Sequence, residues 1–136
     1  MATKLLDTTF LIHYWAGRDA AKEYLEANEE TSEFATTAIN FKEIAVGRQL
    51  QGKFDPAEIR SRFDWIRVVP FEVEHAFLAG QMEVSLRASE AINQQKVNEL
   101  TGDVFMAAVA RELDATVVTR NVDDFETLDG VSVETY

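Results

Sequence analysis

The chain has 136 residues, of which 46% are hydrophobic, with two prolines, no cysteine and a formal charge of −11. That is enough length and apolar content for one substantial core, which argues against a disordered tail or an array of several domains. Disulfides and thiolate metal sites are excluded, and no apolar run approaches the roughly 20 residues that would cross a bilayer.

Taken from the first residue, Thr3–Leu6 reads as a short buried strand rather than a leader. It lacks a basic stretch before it and a small-residue cleavage site after a long apolar run, so a cytoplasmic place is expected. Phe10, Leu11, Tyr14 and Trp15 then follow at helical spacing, with Gly17 as the stop. Residues 19–29 form an amphipathic helix opened by Asp19, and SEFATT (32–37) a brief strand. A helix capped by Thr37 or Asn40 runs through Phe41, Ile44, Ala45 and Leu50 to Gly52. Asp55-Pro56 opens the next helix with aspartate at the cap and proline at the first position. IRVVPF (66–71) is a strand, and 72–88 a helix with Val73, Phe77, Met82 and Leu86 as inward candidates. Residues 89–100 read as a short helix or loop, 102–113 as an apolar helix, TVVT (116–119) as a buried strand and VSVETY (131–136) as a terminal one. Strands alternating with helices imply an α/β fold whose small, mostly parallel sheet is covered on both faces.

Charge is unevenly spread. Residues 42–67 carry +2, from Lys42, Arg48, Lys53, Arg60, Arg62 and Arg67 against four acids, while the remainder carries −13. This segment reads either as a solvated helical face or as a local contact surface for RNA or an acidic partner. Five lysines against fifteen glutamates also suit a protein adapted to high salt.

Four acids stand in or beside apolar stretches: Asp7 in KLLDTTFLI, Glu43 in INFKEIAVG, Asp103 in GDVFMAAVA and Asp124 in VVTRNVDDF. A carboxylate in such surroundings costs several kcal/mol unless it is neutralised. If the fold gathers the four, a hard cation such as Mg²⁺ or Mn²⁺ is the natural counter-charge, and hydrolysis of a phosphodiester is the chemistry it suggests. In a parallel sheet, sites form beyond the carboxyl ends of the strands. Asp7 directly follows the first strand, and Asp124 lies in the loop after the strand that Thr119 ends.

Each acid also has a plain structural reading. Asp7 before Thr8 and Thr9 is a helix cap, and Glu43 three residues after Asn40 has capping-box spacing. Asp103 opens a helix, where the dipole favours an anion, and Asp124 after Asp123 suits a turn. Thr119 and Asn121 could reach a metal-bound water or a phosphate, or simply close a strand-end turn. Arg120 reads as a surface residue with phosphate contact as the competing role. His13 and His75 are isolated and read as structural. No phosphate-binding glycine loop and no serine nucleophile elbow is present.

Taken together, LLDTTFLI, ATTAINFKEIAVG, GDVFMAAVARELDATVVTRNVDDF and GVSVETY resemble PIN-domain ribonucleases, and among these the VapC toxins of type II toxin–antitoxin systems. The likeness covers nearly the whole chain, residues 1–136, as one PIN-like domain. It implies a metal-dependent endoribonuclease with Asp7, Glu43, Asp103 and Asp124 as the acids that bind Mg²⁺ or Mn²⁺ and Thr119 as the accompanying hydroxyl. It also implies structured RNA as substrate, a cognate antitoxin that blocks the pocket, and a homodimer. Two departures stand out: a longer stretch at 89–101 before Asp103, and His13 where many relatives carry an acid. The competing classes are a PIN nuclease of RNA processing without an antitoxin, a non-catalytic PIN-like binding module, and a phosphotransferase with an aspartate after its first strand. The last needs a second acid where Thr9 stands.

Overall fold

The structure is a computed structural model that describes residues 1–89 and 92–136, so part of the 89–100 reading falls on residues outside it. β1 (Ala2–Leu6), β2 (Ser32–Thr37), β3 (Arg67–Val69), β4 (Thr116–Val118) and β5 (Ser132–Glu134) make one sheet in the order β3-β2-β1-β4-β5. All four pairings are parallel, with Leu5 opposite Val117 and Leu6 opposite Val118 across the β1–β4 pair. The chain winds one way from β1 to β3 and then crosses to β4, leaving a topological switch beside the central strand.

Side chains alternate across a strand, and here that alternation feeds two cores. Leu5, Ala35, Val69 and Val117 face α5 (Val73–Ala88), α6 (Gln94–Glu99) and α7 (Thr101–Leu113). Leu6 and Val118 face the other way, against α1 (Thr8–Trp15), α2 (Asp19–Asn28), α3 (Ala38–Leu50) and α4 (Pro56–Arg62). Because both faces are covered, the strands read as continuous apolar runs, KLL and TVV, instead of alternating ones. The second core is rich in aromatics: Phe10 packs edge-on to Tyr24 and Tyr136, and Trp15 edge-on to Phe63.

The ends of these elements follow local chemistry. Gly17 takes a left-handed φ of 74° to close α1, donating its amide to the Tyr14 carbonyl. Asp55 caps α4 through the Ala57 amide, with Pro56 at the first position.

Two expectations change. α5 buries His75, Ala79, Met82 and Leu86, whereas Val73 and Phe77 are 61% and 70% exposed. Size misled the sequence reading: small Ala79 lets α5 approach the alanine-rich face of α7, and His75 enters because its polar atoms are satisfied. Its Nδ1 accepts the Glu72 amide at 2.8 Å, and its Nε2 lies 3.3 Å from Glu112. Second, the stretch after β4 is not a loop throughout, because Val122–Glu126 forms a short helix, α8, that buries Phe125.

Candidate functional site

Four local routes bring the acids to the carboxyl end of the sheet. Asp7 leaves β1 and becomes the N-cap of α1, its Oδ1 accepting the Phe10 amide at 2.9 Å. Its own amide donates to the Val118 carbonyl at 3.3 Å, tying the end of β1 to the end of β4. Asp103 occupies the first turn of α7, and Asp124 the first turn of α8. Glu43 projects from α3 and does not cap it. The capping box is instead Thr37 with Asn40, one hydrogen-bonded pair upstream of the spacing that the sequence suggested.

Asp7, Glu43 and Asp103 line one cavity of about 80 Å³, together with Thr8, Asn40 and Asn121. Asp124 borders the adjoining recess with Arg120 and Asn121, and its Oδ1 is 2.7 Å from the Lys96 ammonium. A larger cleft, about 440 Å³ between α5 and the segment after α8, contains none of these acids. The chemistry, and not the volume, marks the site.

The electrostatics explain why the pocket is unusual. Burial pushes the Asp103 carboxyl up to about 6, and the charges of Asp124, Asp7 and Glu43 add to the rise while Lys96 opposes it. Burial also raises Asp7, opposed by hydrogen bonds from Thr119 and the Phe10 amide and by the nearby His13. Thr119 itself is fully buried, behind Asp7, and its Oγ1 accepts the Asn121 amide at 2.9 Å. It therefore backs the carboxylate from inside the protein.

Among the described residues, no three such side chains are already drawn close enough to cage a metal ion. The donor set nevertheless fits a hard divalent cation in its chemistry: carboxylates around one cavity, desolvated at Asp7 and Asp103, and without enough positive charge to balance them. Asp7, Glu43 and Asp103 would hold such an ion, with Asp124 at the margin.

A hydrogen-bonded relay that the sequence reading missed, buried at its Thr37–Asn40 end and exposed at its last link, reaches Glu43. Asn40 Oδ1 accepts from the Thr37 amide and hydroxyl at 3.1 and 2.7 Å, and its Nδ2 donates to Thr8 Oγ1 at 2.9 Å. Thr8 then donates to Glu43 Oε1 at 3.1 Å. The T-x-x-N spacing of Thr37 and Asn40 was the available signal; the sequence reading treats the two only as alternative caps. On the other side of Asp7, His13 Nδ1 lies 2.7 Å from the Tyr136 hydroxyl, and the Arg120 guanidinium lies over the Tyr136 ring at 4.4 Å. Burial, with the charges of Arg18 and Arg120, lowers the His13 pKa.

A parallel α/β domain with an acidic pocket at the carboxyl edge of its central strand is the class of protein that these observations define. The family model for the PIN domain matches residues 4–131, and the chain belongs to that family. No curated protein matches the sequence at a significant level. Among solved structures, the chain is similar to VapBC2 from Rickettsia felis bound to a promoter DNA fragment, with a TM-score of 0.78, 17% identity and 98% of each chain covered. It is also similar to DNA-bound VapBC from Salmonella typhimurium, with a TM-score of 0.75 and 19% identity over 99% of this chain and 98% of that one. VapBC-5 from Mycobacterium tuberculosis, a member of the VapBC family of toxin-antitoxin systems, shares 26% identity over 99% of this chain and 98% of that one, with a TM-score of 0.61.

The raised Asp103 pKa makes a stability prediction. An acid whose pKa is higher in the folded chain holds its proton more tightly there than in the unfolded one. The penalty is therefore absent below the ordinary value of 3.8 and grows to its full size above about 6. In chelator at pH 7.5, Asp103→Asn should stabilise the protein by roughly 1–2 kcal/mol once solvent screening is allowed for. Urea unfolding at pH 7.5 and pH 4 checks this; the gain should vanish at the lower pH, and the same gain at both would remove the charge explanation.

Proposed function

We propose that this chain is a divalent-metal-dependent endoribonuclease and the toxin of a type II toxin–antitoxin pair. The observation that carries the reading is the convergence of Asp7, Glu43 and Asp103 on one cavity in which Asp103 is pushed up to about 6 by burial and by its acidic neighbours. When bound, Mg²⁺ or Mn²⁺ supplies an activated water and offsets the charge that develops on the phosphate during hydrolysis.

The chain's own residues supply the rest. Asp7 is fixed by the Phe10 amide in front and Thr119 behind, and Glu43 by the Thr37–Asn40–Thr8 relay, so both carboxylates point without having to be ordered at each turnover. Asn121 lines the same cavity and presents an amide to a phosphate oxygen. Arg120, steadied on the Tyr136 ring, adds a cation in the recess beside Asp124 for the incoming RNA backbone. In an acidic protein this local positive charge matters more than the total. The basic segment contributes less than its composition suggests, because Arg48 pairs with Glu58 at 2.9 Å and both Arg48 and Arg62 lie over Trp15. On this reading the protein acts on cytoplasmic RNA; no described helix is long and apolar enough to cross a membrane.

An apolar groove favours the antitoxin over an RNA-processing role without a partner. About 230 Å³ in volume, it is lined by Ile12, Trp15, Ala16, Ile44 and Gly47 and ends at Glu43, which it shares with the acidic cavity. An amphipathic antitoxin segment would lay its apolar face there and place a basic side chain on the acids, closing the site by charge complementarity. The homodimer would use α5. Val73, Phe77 and Val84 stand exposed on it beside an apolar recess of about 180 Å³ lined by Ala76, Ala79, Gly80 and Phe105. A knob next to a hole on one face is what a two-fold self-contact requires.

The decisive test is cleavage of structured RNA by the purified chain with Mn²⁺. Activity should disappear with chelator and in Asp103→Asn, whose fold should survive; cleavage that persists in both would refute the metal mechanism. For the partner, Gly47→Phe is the probe, since a Cβ there meets no neighbour within 4 Å and the ring would enter the groove that Gly47 lines. It should keep RNA cleavage yet lose at least tenfold in affinity for the product of a small neighbouring reading frame, and unchanged affinity would move the antitoxin elsewhere. Sedimentation of Phe77→Glu should show a monomer where the unmodified chain sediments as a dimer. A monomer in both cases would remove the two-fold contact.

A further inference from the structure

One carboxylate of the acidic site already has a cation on it. Lys96 Nζ lies 2.7 Å from Asp124 Oδ1, with both side chains about one-third exposed, at 38% and 34%. The ammonium also acts on Asp103, against the three acids that surround that residue. Its position is set by the backbone. Asn93 caps α6 by accepting the Lys96 amide at 2.9 Å, Val97 anchors the same turn in the core, and Leu100 is both the C-cap of α6 and the N-cap of α7. Lys96 and Asp103 thus sit on one continuous, anchored piece of chain.

An exposed ion pair is ordinarily worth little and needs no function. This one differs in where it lies. Asp124 is also the acid a second divalent ion would use, and such an ion would have to share that carboxylate with the Lys96 ammonium against like-charge repulsion. A lysine suits the position: it is a compact charge on a flexible stem with three donors, so it can keep one hydrogen bond to Asp124 and turn others to a phosphate oxygen.

We propose that Lys96 occupies the place of a second metal ion, so that the site takes one divalent cation at Asp7, Glu43 and Asp103 while the Lys96 ammonium supplies the other positive charge facing the substrate phosphate. The inference rests on the metal-dependent nuclease reading above. It makes Lys96 a substrate-facing residue and makes Asp124 its holder, not a metal ligand in its own right.

Mn²⁺ titration of the full chain, with free ion followed by electron paramagnetic resonance, tests the inference without reference to activity. The unmodified chain and Lys96→Arg should each bind one ion per chain, and Lys96→Met should bind two. Adding Asp124→Asn to Lys96→Met should return the count to one. Two ions on the unmodified chain, or one on Lys96→Met, would overturn the inference and leave the nuclease reading standing. No ion on any of these proteins would overturn the metal reading itself, and this inference with it. Lys96→Met is a surface change on a short helix, and circular dichroism confirms its fold before the titration. A pair that merely staples α6 to α8 would shift the melting temperature and leave the ion count at one, again overturning the inference.

Discussion

Burial of the Asp7 carboxylate at the end of the central strand is the constraint on which the rest of the site depends. Asp7 caps α1, and its amide ties β1 to β4, so the residue cannot leave the edge without loosening both. A carboxylate held there is partly desolvated, and the hydrogen bonds from Phe10 and Thr119 only partly compensate. Bringing Glu43 and Asp103 into the same cavity deepens the deficit. The fold tolerates this because two cores, one on each face of the sheet, hold the strand ends in place independently of the pocket. Leu5, Leu6, Val117 and Val118 are fully buried in those cores, and Asp7 and Thr119 immediately follow them at the sheet edge.

The same electrostatic deficit explains how the site and its surroundings fit together. Positive charge is placed locally: Lys96 on Asp124, and Arg120 on the Tyr136 ring in the recess beside Asp124. Other basic residues are tied up around Trp15, where they frame an apolar groove that opens onto Glu43. On the proposed reading, a divalent cation in the pocket and a basic segment from a partner would neutralise the same carboxylates and so compete, whereas an RNA backbone, itself anionic, would need the cation in place.

Much of this was legible in the chain. Apolar runs such as KLL and TVV, separated by helical spacing, specified a parallel sheet covered on both sides, and Asp7 at the end of the first run pointed to the carboxyl edge. Misreadings came where size or spacing stood in for packing. Phe77 is large and apolar yet exposed, because α5 turns Ala79 and His75 toward α7. Asn40 looked like a cap for a helix containing Glu43, and it is also the buried link that aims Glu43 through Thr8. Asp124 was read as a loop residue, but α8 and Lys96 fix it.

By itself the sequence determined the class of fold and the order of most of its elements, and singled out four acids for attention, because hydrophobic period and capping chemistry act over a few residues. Which acids share a cavity, which one carries a lysine and which groove adjoins them were decided only in three dimensions. Lys96 and Asp124 lie 28 residues apart, Thr8 and Asn40 lie 32 apart, and Asp7 meets Thr119 across the sheet. A pairing at that separation depends on how the strands cross and how the helices turn, and no local spacing encodes it.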